Sequence, residues 1–139
     1  NMGDDHVVPE FIKRFKKLRN KNFKIQGTGN EIRSFIYIDD FVDAFNLIMN
    51  KGKHLNIYNI GTMDEITIKD LAFLVGKAFG KKINLLPGEL SAGSTLRRCP
   101  DTSKIQALGF KPKVLLEEGI GILTKWYQAH TGEEQKIKT

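Results

Sequence analysis

Short apolar runs alternate with amphipathic helical segments along the whole of this 139-residue chain. That alternation most constrains what it can fold into, because strands interleaved with helices are the pattern of an α/β fold. Pro9 suits the first turn of a helix, where its missing N–H costs nothing, and Phe11, Ile12, Phe15 and Leu18 then recur on one helical face. Phe23–Gln26 predicts a short strand, closed by the turn Gly27-Thr28-Gly29-Asn30. Ser34–Ile38 holds Phe35, Ile36, Tyr37 and Ile38, the near-continuous apolar run of a buried strand. Asp39 or Asp40 is expected to cap the next helix, with Phe41, Val42, Phe45 and Ile48 on its core face. Ile57–Ile60 predicts another buried strand. Thr67-Ile68-Lys69-Asp70 fits a capping box for a helix running through Leu71, Leu74, Val75 and Ala78 to Gly80. Ile83–Leu86 predicts a further strand, and a loop through Ser91–Cys99 leads to Pro100-Asp101, a cap for a short helix ending at Gly109. The last helix is expected from near Leu116 to about Ala129, with Ile120, Leu123 and Trp126/Tyr127 as its apolar stripe. Few short strands with about five helices are too few strands for a complete doubly wound domain.

Composition narrows the partners. The longest apolar stretches run four or five residues, so nothing in the sequence spans a membrane, and no charged-then-apolar leader opens it. One Cys makes no internal disulfide and no structural zinc site, which fits a reducing, cytoplasmic setting. The chain opens on Asn1, as a processed piece would, or as a protein starting at Met2 behind one extra residue. The net charge is +6, and residues 1–30 carry most of it: Lys13, Arg14, Lys16, Lys17, Arg19, Lys21 and Lys24 against Asp4, Asp5 and Glu10. With no aromatic interleaving and no nucleic-acid motif, this basic stretch reads as the solvated face of a helix, and neither nucleic acid nor a membrane is expected as a partner.

Most catalytic equipment is missing. Gly27-Thr28-Gly29 does not continue as a dinucleotide loop, which would need Gly where Ile32 stands and a helix where a strand is expected. His6, His54 and His130 share no metal spacing. Four residues after Tyr37, Tyr58 and Tyr127 stand Phe41, Thr62 and Thr131, so no Tyr has a Lys at that spacing. Arg97 and Arg98 could depress the pKa of Cys99, although a catalytically silent Cys is the simpler reading. What remains is suited to anions: Arg33 after a Gly-rich turn, and Arg97 and Arg98 before a capped helix. A guanidinium fork matches phosphate oxygens two at a time. For Arg33 a salt bridge to Asp39 or Asp40, or a loop-locking contact, is the competing role.

The residues Gly27-Thr28-Gly29-Asn30-Glu31-Ile32-Arg33-Ser34-Phe35-Ile36-Tyr37-Ile38-Asp39-Asp40 resemble the "G-x-G-x-x-x-R-[DS]-[FY]-[IV]-[YH]-[VI]-x-D" segment of extended short-chain dehydrogenases/reductases, the NAD-dependent nucleotide-sugar epimerases and dehydratases. His6-Val7-Val8-Pro9 resembles the family's "H-V-I-P" helix start, and Tyr58-Asn59-Ile60-Gly61-Thr62 its "Y-N-[IL]-G-x". Thr67-Ile68-Lys69-Asp70-Leu71 is similar to the helix that follows. Pro100-Asp101-Thr102-Ser103-Lys104 with Leu108-Gly109-Phe110-Lys111-Pro112 resembles "x-D-x-S-K…L-G-[WFY]-x-P", and Leu116-Glu117-Glu118-Gly119-Ile120 resembles "L-E-E-G-[IL]". The segments keep the family's order over residues 1 to about 128.

The resemblance implies that this chain is the C-terminal, substrate-binding portion of such a Rossmann-type enzyme, residues 1–128, followed by a polar tail, residues 129–139. The NAD loop and the catalytic Tyr/Lys pair would lie in an N-terminal dinucleotide-binding domain outside it. NAD is thus implied for the full enzyme, and no catalytic, cofactor-binding or metal residue is expected here. Carried over by position, Arg33 matches the Arg that grips the diphosphate, and His6 and Val7 the helix start beside the diphosphate and nucleoside. Lys24 and Gln26 match the strand under the base, and Thr67 or Ile68 a nucleoside contact, of which Ile68 is taken. A second phosphate-binding Arg of some members falls near Ser91, which is not Arg; Arg98, two residues before Pro100, is the preferred alternative to Arg97. The expected ligand is a nucleotide-sugar, and the expected association is with itself or with a dinucleotide-binding domain. A non-enzymatic remnant or interaction module is the other reading.

Overall fold

The structure, a computed structural model, describes residues 6–90 and 93–130. Ser91 and the tail from residue 131 lie outside them. The element order is α1 (Val7–Lys17), β1 (Asn22–Lys24), β2 (Ile32–Arg33), α2 (Ile38–Lys51), β3 (Ile66–Thr67), α3 (Ile68–Ala78), β4 (Asn84–Leu86), β5 (Arg97–Arg98), α4 (Ser103–Ala107) and α5 (Leu116–Ala129). Among the described residues this is an α/β arrangement of five helices with strands of only two or three residues, as the alternation predicts.

Two small sheets organise the chain. β1 pairs in parallel with β4, Phe23 opposite Leu85. β2 lies between β3, antiparallel, and β5, parallel, so that Arg33 stands opposite Ile66 on one side and Arg98 on the other. The main core fills the space between β1 and helices α1, α3 and α5. Phe11, Ile12 and Phe15 from α1 meet Phe23, Ile25, Leu71, Val75 and Ile120, all buried. Phe15 stacks on Phe23 at 4.3 Å between ring centroids, and Phe11 meets the same ring edge-on at 5.1 Å. Lys81 closes the C-terminus of α1, donating from Nζ to the Phe15 and Leu18 carbonyls at 2.6 and 2.9 Å, where a cation also suits the helix dipole.

The capping box opens α3 as expected. Thr67 Oγ1 accepts from the Asp70 N–H at 3.1 Å and donates to Asp70 Oδ2 at 2.6 Å. Gly80, at φ +64°, follows the end of the helix. Asp101 takes the Ser103 N–H and hydroxyl at 2.9 and 2.6 Å, starting α4. The final helix has the expected ends, and Ile120, Leu123 and Tyr127 pack on the core as expected; Trp126 is instead 52% exposed, and Thr124 is buried.

Three expectations fail around α2. Ser34–Ile38 is not a buried strand: pairing ends at Arg33, the next residues are extended and half-buried, and Ile38 opens the helix 62% exposed. Phe41, Val42 and Phe45 do not face the core; they are 41–51% exposed, and only Ile48 of the expected face packs inward. The inward face is instead Asp40 and Ala44, against Ile105 and Phe110. Neither Asp39 nor Asp40 caps this helix. Asp40, buried, accepts the N–H groups of Lys113 and Val114, each at 3.0 Å, and so fixes the approach to α5. Ile57–Ile60 likewise forms no strand; Tyr58 and Ile60 pack inward, while Ile57 is 79% exposed. In each case the apolar residues have the spacing of a core strand or helix, and the described residues leave them partly or largely exposed.

Because Phe15 contacts α3 and stacks on Phe23, Phe15→Ala removes a ring the core cannot refill. It is expected to lower stability by about 3–5 kcal/mol, read from urea unfolding followed by circular dichroism.

Candidate functional site

A buried carboxylate builds the site from below. Glu31 is 3% exposed and accepts from the Thr28 N–H, the Thr28 hydroxyl and the Gly29 N–H, each at 2.9 Å. Burial pushes the Glu31 carboxyl up, but the hydrogen bonds from Thr28 and Gly29 outweigh it and hold its pKa below the ordinary value. The turn it grips needs its glycines: Gly27 and Gly29 sit at φ +82° and +89°, and a Cβ on Gly27 would lie 2.8 Å from Glu31 Oε1. The turn is also tied outward. The Lys69 N–H donates to the Gly29 carbonyl, the Ile68 N–H to the Glu31 carbonyl and the Gly88 N–H to the Gly27 carbonyl, each at 2.9 Å. The chain then enters β2 rather than a helix, so this is not a dinucleotide-binding turn.

Above the turn lies a cleft of about 190 Å³. Val7, Glu10 and Phe11 line it from α1, Gln26 and Gly27 from the end of β1, Glu31 and Arg33 from the turn and β2, Ile68 from the first residue of α3, and Leu90 and Ser94 from the following loops. Val7, Gln26, Arg33 and Ile68, four of the positions singled out in the sequence, therefore meet in one place. His6 is the N-cap residue directly before Val7. Lys24 lines an adjoining cleft of about 310 Å³ with Arg14 and Gln26. Arg98 is not in the lining but is the register partner of Arg33, so the two side chains leave the sheet on the same face.

Arg33 forms no ion pair with Asp39 or Asp40; its Nη1 donates to the Ile32 carbonyl at 2.7 Å. Arg97 points to the other face and pairs with Glu65, which separates it from Arg98. Cys99 is not activated: burial raises its thiol pKa, the Glu65 carboxylate adds to that, and the opposing pull of Arg97 is weaker. Glu31, Glu10 and β5 escaped the sequence reading. The pattern Thr28-x-x-Glu31 behind two glycines carried the signal for Glu31, since a carboxylate three residues on can close a turn through its N–H groups.

Glu31→Gln is expected to cost about 1–3 kcal/mol at neutral pH, because a charged acceptor of three hydrogen bonds is replaced by a weaker one. The sign in pH follows from the lowered pKa. The carboxylate's contribution is whole above the unfolded value near 4.5 and is lost as pH falls through the lower folded value. The gap between parent and variant in thermal unfolding should therefore narrow in acid.

Residues 1–61 match the NAD dependent epimerase/dehydratase family. The probable GDP-L-fucose synthase 1 of Oryza sativa subsp. japonica is 38% identical over 127 residues, covering 89% of this chain and 39% of that protein. The dTDP-D-glucose 4,6-dehydratase of Bos taurus is 32% identical over 139 residues, covering 89% of this chain and 36% of its own length. The crystal structure of the UDP-glucose 4-epimerase of Thermotoga maritima with UDP-glucose superposes with a TM-score of 0.81 at 31% identity, over 92% of this chain and 41% of that one. The chain thus spans about two fifths of the length of the relatives it matches. With the motifs in their expected order and this fold beneath them, the chain is a relative, over about two fifths of their length, of the extended short-chain dehydrogenases/reductases of the NAD dependent epimerase/dehydratase family.

Proposed function

We propose that these residues are the nucleotide-sugar-binding portion of a cytoplasmic, NAD-dependent epimerase or dehydratase, and that they hold the nucleoside diphosphate of the sugar donor. The observation that carries this reading is the single cleft in which Val7, Gln26, Arg33 and Ile68 converge from four elements, with Arg98 beside Arg33 on the same sheet face. Two guanidinium forks on a diphosphate, at about 1.5–3 kcal/mol for each charge-assisted bond, supply most of the roughly 8 kcal/mol of a micromolar complex. The start of α1 at His6 and Val7 adds the positive end of a helix dipole. NAD and the residues that carry hydride chemistry belong to a dinucleotide-binding domain outside this chain. The relatives' names include GDP-, dTDP- and UDP-linked sugars, so kinship alone leaves the base open.

Calorimetry with a nucleoside diphosphate is expected to give weak, saturable binding that Arg33→Ala abolishes; equal affinity for the two proteins would reject the role given to Arg33. The 139 residues alone should form no NADH from a nucleotide-sugar and NAD.

The exposed apolar face of α2 favours a body that needs a partner. Phe41, Val42, Phe45 and Met49 stand 41–69% exposed on one helix, near the unpaired stretch at Ile57, and apolar surface of this kind seeks cover. We assign that cover to a dinucleotide-binding domain in the full enzyme and to a second copy when the chain stands alone. Light scattering should then find the isolated chain self-associated, and the double variant Phe45→Glu, Met49→Glu monomeric. A monomeric parent would set this assignment aside.

A further inference from the structure

The cleft is lined by one guanidinium, of Arg33, and two carboxylates, of Glu10 and Glu31. The two carboxylates differ. Glu31 is buried and spends both oxygens on the turn below it. Glu10 is half-exposed, and among the described residues only its Oε1 is engaged, at 2.8 Å from Arg14 Nη1. A carboxylate offers about four acceptor positions, so most of the capacity of Glu10 remains for a ligand.

Glu10 is also held in place. Arg14 donates to the Lys24 carbonyl at the end of β1 and lies 4.4 Å over the centroid of the buried Phe23 ring. Its guanidinium therefore fixes the Glu10 carboxylate beside the strand that runs into Gln26. An acceptor oriented in advance loses little freedom on binding.

We propose that this cleft selects guanine nucleotides, with Glu10 as the group that reads the base. The proposal rests on the diphosphate site described above and adds the identity of the base to it. A carboxylate accepts and never donates. Guanine presents N1–H and the N2 amino group side by side, two donors that match two carboxylate oxygens. Uracil and thymine present a single N3–H between two carbonyl oxygens, which a carboxylate repels. The amino groups of adenine and cytosine each adjoin a ring nitrogen that accepts, so neither offers the pair. Leu90, 39% exposed, and Val7 supply apolar surface for the ring. The negative charge of Glu10 also keeps the diphosphate at Arg33, giving the nucleotide one direction in the cleft.

The test is calorimetric titration of the 139-residue chain and of Glu10→Gln and Arg33→Ala with GDP, UDP and dTDP, each variant first matched to the parent by circular dichroism and unfolding midpoint. Two charge-assisted bonds to the base should make GDP at least about tenfold tighter than UDP or dTDP, and Glu10→Gln should bring GDP down to their level. Arg33→Ala should abolish binding of all three alike. Equal affinities in the parent, or a GDP preference that survives Glu10→Gln, overturns the guanine assignment while the diphosphate site stands. If none of the three binds at millimolar concentration, the diphosphate site fails and this assignment falls with it.

Discussion

Glu31 lies inside the fold, where hydrogen bonds from Thr28 and Gly29 outweigh the cost of burying its charge and hold its carboxyl below the ordinary pKa. Those bonds hold a turn with two glycines at positive φ, and from that turn the rest of the site is hung. The carbonyls of Gly27, Gly29 and Glu31 receive the N–H groups of Gly88, Lys69 and Ile68. One carboxylate thus sets the distance between the end of β1, the start of α3 and the loop after β4. It also sets where β2 begins, and so where Arg33 stands. The glycines need a partner to stop them exploring other conformations, and the carboxylate needs donors; each requirement answers the other.

Local rules were enough where an element is surrounded by the chain itself. The capping box at Thr67, the left-handed Gly80 and the apolar face of α1 all appear where periodicity and cap chemistry put them, because packing and propensity agree there. The same rules misplace α2. Its Phe41, Val42 and Phe45 are spaced for a core, yet the described residues bury the face bearing Asp40 and Ala44. Hydrophobic periodicity reports that a face is to be covered and says nothing of which chain covers it. Ile57 fails for the same reason. The role of Asp40 was illegible for another: its donors, Lys113 and Val114, lie more than seventy residues away.

Within the site, Arg33, Val7, Gln26 and Ile68 were recognisable because their motifs are local strings, and the fold confirms only that they share a cleft. The preference for Arg98 over Arg97 rested in the sequence on its distance from Pro100 alone. It is the parallel pairing of β5 with β2 that separates them, turning Arg98 to the face of Arg33 and Arg97 to Glu65. Alternation along a strand makes adjacent residues opposites.

The same pairing has a cost that bears on how the protein behaves when empty. Like charges side by side across a sheet repel, and Arg33 and Arg98 meet at the junction of two strands that are each two residues long. β5 is the edge of its sheet, and both of its residues are exposed. The pairing that sets Arg98 beside Arg33 therefore works against its own charges, and a neutralising counter-charge is what would relieve it.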